Sequence, residues 1–255
     1  MNSRQLFDLA GRVAIVSGGS VGLGRQMAEG LAEMGAHLVL CARKQERCQK
    51  TAEELQPLGV DVLALGCDVK DPASITEVVN ATMKHFGRID ILINNAGTSW
   101  GAPTEEMTLA QWNKVIETNL TGTFLFSQAA GKVMITQQRG KIINIASIAG
   151  MRGSPPELSA IGYTSSKGGV IAFTRDLAWK WGIHGIRVNA IAPGWFPSDM
   201  SQKVIERHQA KILASIPLGR FGNSQDLKGA AIFLASDASD FVTGHTLVVD
   251  GGQSA

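Results

Sequence analysis

The chain has 255 residues, with 24 basic and 22 acidic side chains and a formal net charge of +2. That balance argues against nucleic acid or an anionic membrane surface as partner. No apolar run approaches the roughly 18 residues of a spanning helix, and the first ten residues lack an apolar core, so a cytoplasmic protein that enters no membrane is expected.

Residues 12–17 read as a short buried strand, apolar and bounded by glycine. Gly18-Gly-Ser-Val-Gly-Leu-Gly24 follows at once, and an amphipathic helix then runs to Met34, where Gly35 stops it. A glycine turn between strand and helix lets the backbone approach a pyrophosphate, and the helix start offers unpaired N–H groups. A second strand over 37–41 ends at Ala42-Arg43-Lys44. An NAD site places a carboxylate about here for the ribose 2′-hydroxyl. This chain places Arg43 there, a guanidinium suited to a 2′-phosphate, so NADP(H) is the expected cofactor and NAD the alternative.

A helix over 45–55, a strand over 61–66 and a helix over 72–86 come next. A fourth strand over 89–93 then ends in Asn94-Asn-Ala-Gly97. A long helical stretch, 109 to about 136, carries the polar Asn119. A strand over 141–146 leads to Ser147, and a loop over 148–161 offers Met151, Arg152, Glu157 and Leu158 as candidate contacts. The helix over 162–181 carries Tyr163 and Lys167, and the sixth strand, 186–191, ends at Pro193-Gly194. An irregular, partly helical insert over 195–221 suits a lid, spanning about 193–221, over a ligand. A helix over 226–234 and a last strand over 246–250 close the chain. Strands alternating with helices predict one α/β domain, residues 1–255, built on a parallel sheet covered on both faces.

Tyr163 is the only tyrosine, and Lys167 stands four residues later. Positions i and i+4 share a helix face. A cation within ~4–6 Å lowers a phenol pKa by roughly 1–3 units, toward the range of a general acid or base. Ser147, at a strand end, is placed to hold a substrate oxygen against that phenol. The odd set Cys41, Cys48 and Cys67 has the look of reduced thiols. The five scattered histidines show no ligand spacing, so no metal is expected.

Together these residues resemble the short-chain dehydrogenase/reductase family along essentially the whole chain. The resemblance rests on Ser17-Gly18-x-x-x-Gly22-x-Gly24, Asn94-Asn-Ala-Gly97, the set Asn119, Ser147, Tyr163 and Lys167, Pro193-Gly194, and Val249-Asp-Gly-Gly252. It implies a single-domain Rossmann fold with a doubly wound, seven-stranded parallel sheet, and metal-free hydride transfer between a nicotinamide and a carbonyl or secondary alcohol. In that family pattern Tyr163 is the general acid/base and Ser147 orients the substrate oxygen. Lys167 lowers the phenol pKa and bonds the nicotinamide ribose, and Asn119 holds a water linking Lys167 to solvent. The implied cofactor contacts begin at the glycine turn, with Gly18, Ser20, Val21, Gly22, Leu23 and Gly24, and at Arg43. They continue at Asp68 and Val69, at Asn95, Ala96 and Gly97, at Tyr163 and Lys167, and at Pro193, Gly194, Phe196 and Ser198.

Two departures stand out. The gap from Ser147 to Tyr163 is longer than the family's usual one, the extra length falling in 151–158. Val21 stands where many NADP-using relatives carry a basic residue. By motif position the substrate wall falls on Trp100, Ser147, Met151, Arg152, Tyr163 and Trp195. The segments 7–13, 191–195 and 216–220 look like the gluconate 5-dehydrogenase branch and almost as much like 3-oxoacyl-carrier-protein reductases. The expected substrate is a keto-sugar acid or other small ketone, with a 3-oxoacyl thioester as the alternative. A catalytically silent NADP(H)-binding sensor or scaffold is the alternative of another class. The family also implies a homotetramer, built through the helices over 109–136 and 162–181.

Overall fold

The computed structural model describes every residue except Met1, Ser154, Pro156 and Glu157. Among the described residues seven strands form one sheet: β1 (Val13–Ser17), β2 (His37–Ala42), β3 (Val62–Gly66), β4 (Ile91–Asn94), β5 (Gly140–Ile145), β6 (Ile186–Pro193) and β7 (Thr246–Val249). All pair in parallel, in the order β3-β2-β1-β4-β5-β6-β7. The helices between them are α1 (Gly22–Glu33), α2 (Gln45–Leu55), α3 (Pro72–Phe86), α4 (Leu109–Ile116), α5 (Gly122–Gln137), α6 (Ile161–Trp181), α7 (Gln202–Ala214) and α8 (Lys228–Ala235).

The strands read as unbroken apolar runs because helices cover both faces of the sheet. Alternate side chains go to opposite faces. Ala14, Val16, Leu38, Leu40 and Ile93 pack with Met27 and Leu31 of α1, Leu55 of α2 and Leu234 of α8. Val13, Ile15, Val39, Leu92 and Ile142 pack with Val78 of α3, Phe126 and Met134 of α5 and Leu177 of α6.

The winding positions the site. The chain builds outward from β1 to β3, then crosses back to lay β4 on the other side of β1. Such a reversal opens a crevice at the carboxyl ends of the two strands. Ser17 and Asn94, the last residues of β1 and β4, are register partners, so the loops that follow them leave the sheet side by side.

The opposite, amino edge carries ion pairs. Buried Asp90 accepts from the Val13 N–H at 2.9 Å and from Arg88 at 2.6 and 2.8 Å. Asp237 receives Arg12 at 3.1 Å and Arg139 at 2.7 Å. Buried Lys141 reaches Asp240 at 2.8 Å and Ser239 at 3.1 Å.

The stretch over 109–136 differs from the single helix expected. It divides into α4, a π-helical turn at Glu117–Thr121, and α5. The wide turn contains Asn119, whose side chain is held by Thr98 and Ser166 from outside the helix. Such one-residue insertions often mark functional positions. The 195–221 insert contains α7, which kinks at His208 (φ −126°, ψ 20°). Among the described residues no helix is long and apolar enough to cross a membrane, and no group of His, Cys, Asp or Glu could hold a metal ion.

Candidate active site

The carboxyl ends of the central strands surround a cavity of about 1750 Å³. At one end lies the glycine turn. Gly18 adopts φ +64°, and a Cβ there would sit 2.9 Å from the Asn95 amide nitrogen. Asn95 in turn clamps the turn, donating to the Ser17 and Gly18 carbonyls at 3.1 and 3.0 Å. Ser17 Oγ accepts from the Asn95 and Ala96 N–H groups, both at 3.1 Å. Gly18, Ser20, Val21, Gly22 and Leu23 line the cavity, and α1 begins against it. Gly24 does not line it. A side chain there would overlap the Gly18 carbonyl and the Asn95 amide, so Gly24 allows the turn to close on α1.

Arg43, Asp68 and Val69 line the same end, at the tips of β2 and β3. Asn95, Ala96 and Gly97 form the floor, and Pro193, Gly194, Phe196 and Ser198 the far wall. A close-approaching glycine turn, a helix start and an exposed guanidinium beside a roomy crevice fit a dinucleotide with a 2′-phosphate.

Tyr163 and Lys167 lie one turn apart on α6, with the Lys167 Nζ 5.6 Å from the phenol ring centroid. Lys167 is buried and donates to the Ile145 carbonyl, at the end of β5, at 2.6 Å. Ser147 follows two residues later and hydrogen-bonds the phenol. Its Oγ also accepts from the Ala149 N–H at 3.2 Å, which starts the tight turn Ile148–Gly150. Gly150 presses that turn onto the α6 backbone: a Cβ there would lie 2.5 Å from the Lys167 carbonyl carbon.

The electrostatics differ from the expectation. Burial pushes the Tyr163 phenol up, opposed by its hydrogen bond with Ser147. The Lys167 ammonium is bonded to the Ile145 carbonyl. Burial instead pushes Lys167 down from 10.5 to about 8.

Asn119 lies beneath the site and does not reach the cavity. Its Oδ1 accepts from the Thr98 N–H at 2.8 Å, and its Nδ2 donates to the Thr98 carbonyl and to Ser166 Oγ, both at 2.9 Å. Ser166 Oγ donates to the Tyr163 carbonyl at 2.7 Å. A Cβ on Gly97 would stand 3.4 Å from Asn119 Oδ1 and 3.7 Å from Lys167 Nζ, so the floor packs against both.

Of the substrate-wall residues, Arg152 and Trp195 line the cavity with Ser147 and Tyr163. Trp100 and Met151 do not. Lys114 Nζ sits 4.6 Å over the Trp100 ring, and Met151 is 49% exposed. Leu158 lines the cavity, while Glu157 and Pro156 lie outside the described residues. Sequence reasoning missed the contribution of α7, which brings Lys203, Val204, Arg207, His208, Lys211 and Ile212 to the cavity. The signal was present as a cation every fourth residue.

A family model described as enoyl-(acyl carrier protein) reductase matches residues 18–254. The gluconate 5-dehydrogenase of Gluconobacter oxydans (strain 621H) is 38% identical over 254 residues, 99% of this chain and 98% of that one. The 3-oxoacyl-[acyl-carrier-protein] reductase of Escherichia coli (strain K12) is 38% identical over 245 residues, 96% and 98% of the two chains. The chain belongs to the short-chain dehydrogenase/reductase family. This short-chain dehydrogenase/reductase is an oxidoreductase acting between CH–OH and C=O. Its fold is matched by the crystal structure of a gluconate 5-dehydrogenase from Burkholderia cenocepacia J2315 in complex with NADP and tartrate. That match has a TM-score of 0.94 and 35% identity, covering 99% of both chains.

Proposed function

We propose that this short-chain dehydrogenase/reductase uses NADP(H) in preference to NAD(H), interconverting a small ketone, in first place a keto-sugar acid, and its alcohol. The observation that carries the reading is one cavity with Arg43 and the glycine turn at one end and Ser147, Tyr163 and Lys167 at the other. A relative bound to NADP and tartrate, a hydroxy acid, supports both halves of it.

The cofactor supplies a hydride to the carbonyl carbon, or accepts one from the alcohol. Its pyrophosphate would rest on Gly18, Ser20, Val21, Gly22 and Leu23. Asp68 and Val69 would border the adenine, and Asn95, Ala96 and Gly97 the ribose. Pro193, Gly194, Phe196 and Ser198 would border the nicotinamide end. Ser147 holds the substrate oxygen, and Tyr163 gives that oxygen a proton on reduction or removes one on oxidation. Burial keeps the phenol protonated at neutral pH, which suits the reductive direction. Lys167 holds a positive charge beside it and Asn119 is a positioning residue, acting through Ser166 and Thr98. The chain works as one unit, the 193–221 segment closing over the substrate.

The test is consumption of NADPH, and separately NADH, with 5-ketogluconate and other keto-sugars, acetoacetyl thioesters, and cyclic and aromatic ketones. Turnover of a keto-sugar acid supports the reading. Turnover confined to acetoacetyl thioesters gives the second reading, a 3-oxoacyl thioester reductase, which the equal 38% identity to such an enzyme favours. Tight NADPH binding with no turnover anywhere would point to a sensor or scaffold.

Arg43→Ala is expected to weaken NADPH by tenfold to a hundredfold, about 1–3 kcal/mol, and NADH by less than threefold. Cofactor titrations of both proteins measure this, and equal losses for the two cofactors would refute the Arg43 assignment.

We also propose a homotetramer. Leu109 on α4, Phe124 on α5 and Trp179 on α6 are exposed by 72%, 43% and 88%, more apolar surface than a lone subunit's helices ordinarily leave in water. Light scattering at micromolar protein is expected to give four times the subunit mass, and a monomer would refute it.

A further inference from the structure

We propose that α7 reads an anionic group on the substrate, remote from the reacting carbon, through Lys203 and Arg207. The inference rests on the oxidoreductase reading of the same cavity and adds the residues that select the substrate's charge.

Three observations converge. Lys203 and Arg207 stand at i and i+4 of α7, ahead of its kink at His208, and therefore share a face, while Lys211 follows the kink. All three line the cavity, whereas Glu206, on the same helix, does not. Among the described residues the carboxylates lining the cavity are Asp68, at the tip of β3, and Asp199, just ahead of α7. Even with Asp199 beside them, Lys203 and Arg207 leave the α7 end of the cavity with an excess of positive charge, in a chain whose overall charge is nearly balanced.

A row of cations on an ordinary surface helix is usually interspersed with acids and faces solvent. Here Lys203 and Arg207 are solvent-exposed, yet they line the cavity together with the partly buried Val204 and His208. The cavity, at about 1750 Å³, exceeds the ~300–1,000 Å³ of an ordinary small-ligand site, so room remains beyond a dinucleotide for an extended substrate. A carboxylate or phosphate at the far end of such a substrate would meet Lys203 and Arg207 while its carbonyl lies against Tyr163 and Ser147. Arg152 contributes less. It donates to the Gln253 carbonyl at 3.0 Å and sits in the field of Asp250.

The experiment uses two substrate pairs that differ in charge: 5-ketogluconate against fructose, and acetoacetyl-phosphopantetheine against acetoacetyl-pantetheine. For each pair kcat/KM is measured with NADPH in the native protein, in Lys203→Gln/Arg207→Gln, and in the charge-conserving Lys203→Arg/Arg207→Lys. We expect the charged member of one pair to be preferred. The ratio of kcat/KM values should fall about tenfold in the neutral variant and hold in the conservative one, since two partly exposed charge pairs are worth ~1.4 kcal/mol together. The preference should also shrink as salt is raised, which a steric effect would not do. A preference in the first pair assigns a carboxylate, and in the second a phosphate. No preference in either pair, or a ratio unmoved by the neutral variant, overturns the proposal. If no ketone is turned over, the proposed activity fails on its own. Calorimetric titration of gluconate and glucose into the NADPH-loaded protein and the neutral variant then decides the question. Equal binding of the two ligands, or an unchanged ratio, sinks the anion site.

Discussion

Tyr163→Phe is expected to lower kcat for carbonyl reduction by about 10²–10⁴-fold, the usual contribution of a positioned acid or base. The change removes one oxygen. The ring stays, so the packing beside Lys167 and the Ser166 Oγ bond to the Tyr163 carbonyl stay with it. Cofactor affinity is expected to hold within threefold, which separates lost chemistry from lost binding. Single-turnover oxidation of NADPH in the presence of the best ketone measures the step directly. A residual rate above a tenth of the native one would remove Tyr163 from the role of proton donor. The pH dependence has a definite sign. Burial raises the phenol, so it carries its proton through neutral pH, and reduction falls only as pH climbs toward the raised phenol value. Oxidation of the alcohol needs the ionised phenol and rises over the same interval.

Lys167→Met is expected to make the ligand-free protein more stable while it cuts activity by about a hundredfold or more. Lys167 is buried, with its pKa lowered from 10.5 to about 8 by burial. A lysine whose folded pKa lies below its unfolded one costs stability wherever both forms are protonated. That cost is present in full below pH 8 and is relieved as pH rises from about 8 to 10.5. The shift corresponds to about 3 kcal/mol at neutral pH, from which losing the hydrogen bond to the Ile145 carbonyl subtracts roughly 1. The net gain of ~2 kcal/mol would raise Tm by about 4–8 °C for a chain of this size. Denaturant melts of both proteins at pH 7 and pH 10 check the account. The advantage of Lys167→Met should be largest at pH 7 and shrink by pH 10. A variant less stable at pH 7 would mean that the ammonium is held by more than one carbonyl.

The sheet was legible because both its faces are buried. Runs such as Val13-Ala-Ile-Val16 and Ile91-Leu-Ile93 admit few other readings once glycines mark their ends. The strand tips were legible with them, and they bring Gly18, Asn95 and Ser147 to one crevice. What stayed hidden depends on partners far away in sequence. The π-helical turn at Asn119 is held by Thr98 and Ser166, 21 and 47 residues distant, and no local propensity encodes it. Tyr163–Lys167 spacing gave proximity correctly, but the sign of the phenol shift turns on burial, which outweighs the Ser147 hydrogen bond. Trp100 was assigned to the wall by motif position, whereas Lys114, fourteen residues on, covers its ring. The α7 row was visible as spacing, yet which way it faces is decided by how the insert folds back over the strand ends.

The ion pairs at the amino edge have a consequence for how such a protein changes over generations. Asp90, Asp237 and Lys141 tie strand starts and the chain's last third together at one end of the sheet, while the glycine turn, Ser147 and α7 occupy the other. Substitutions separated by more than ~7–10 Å, with no shared partner, add nearly independently. Drift in α7 or in the loop after Ser147 can therefore retune which compound is accepted without drawing on the ion pairs at the amino edge. The two rims of one scaffold can in this way be edited separately.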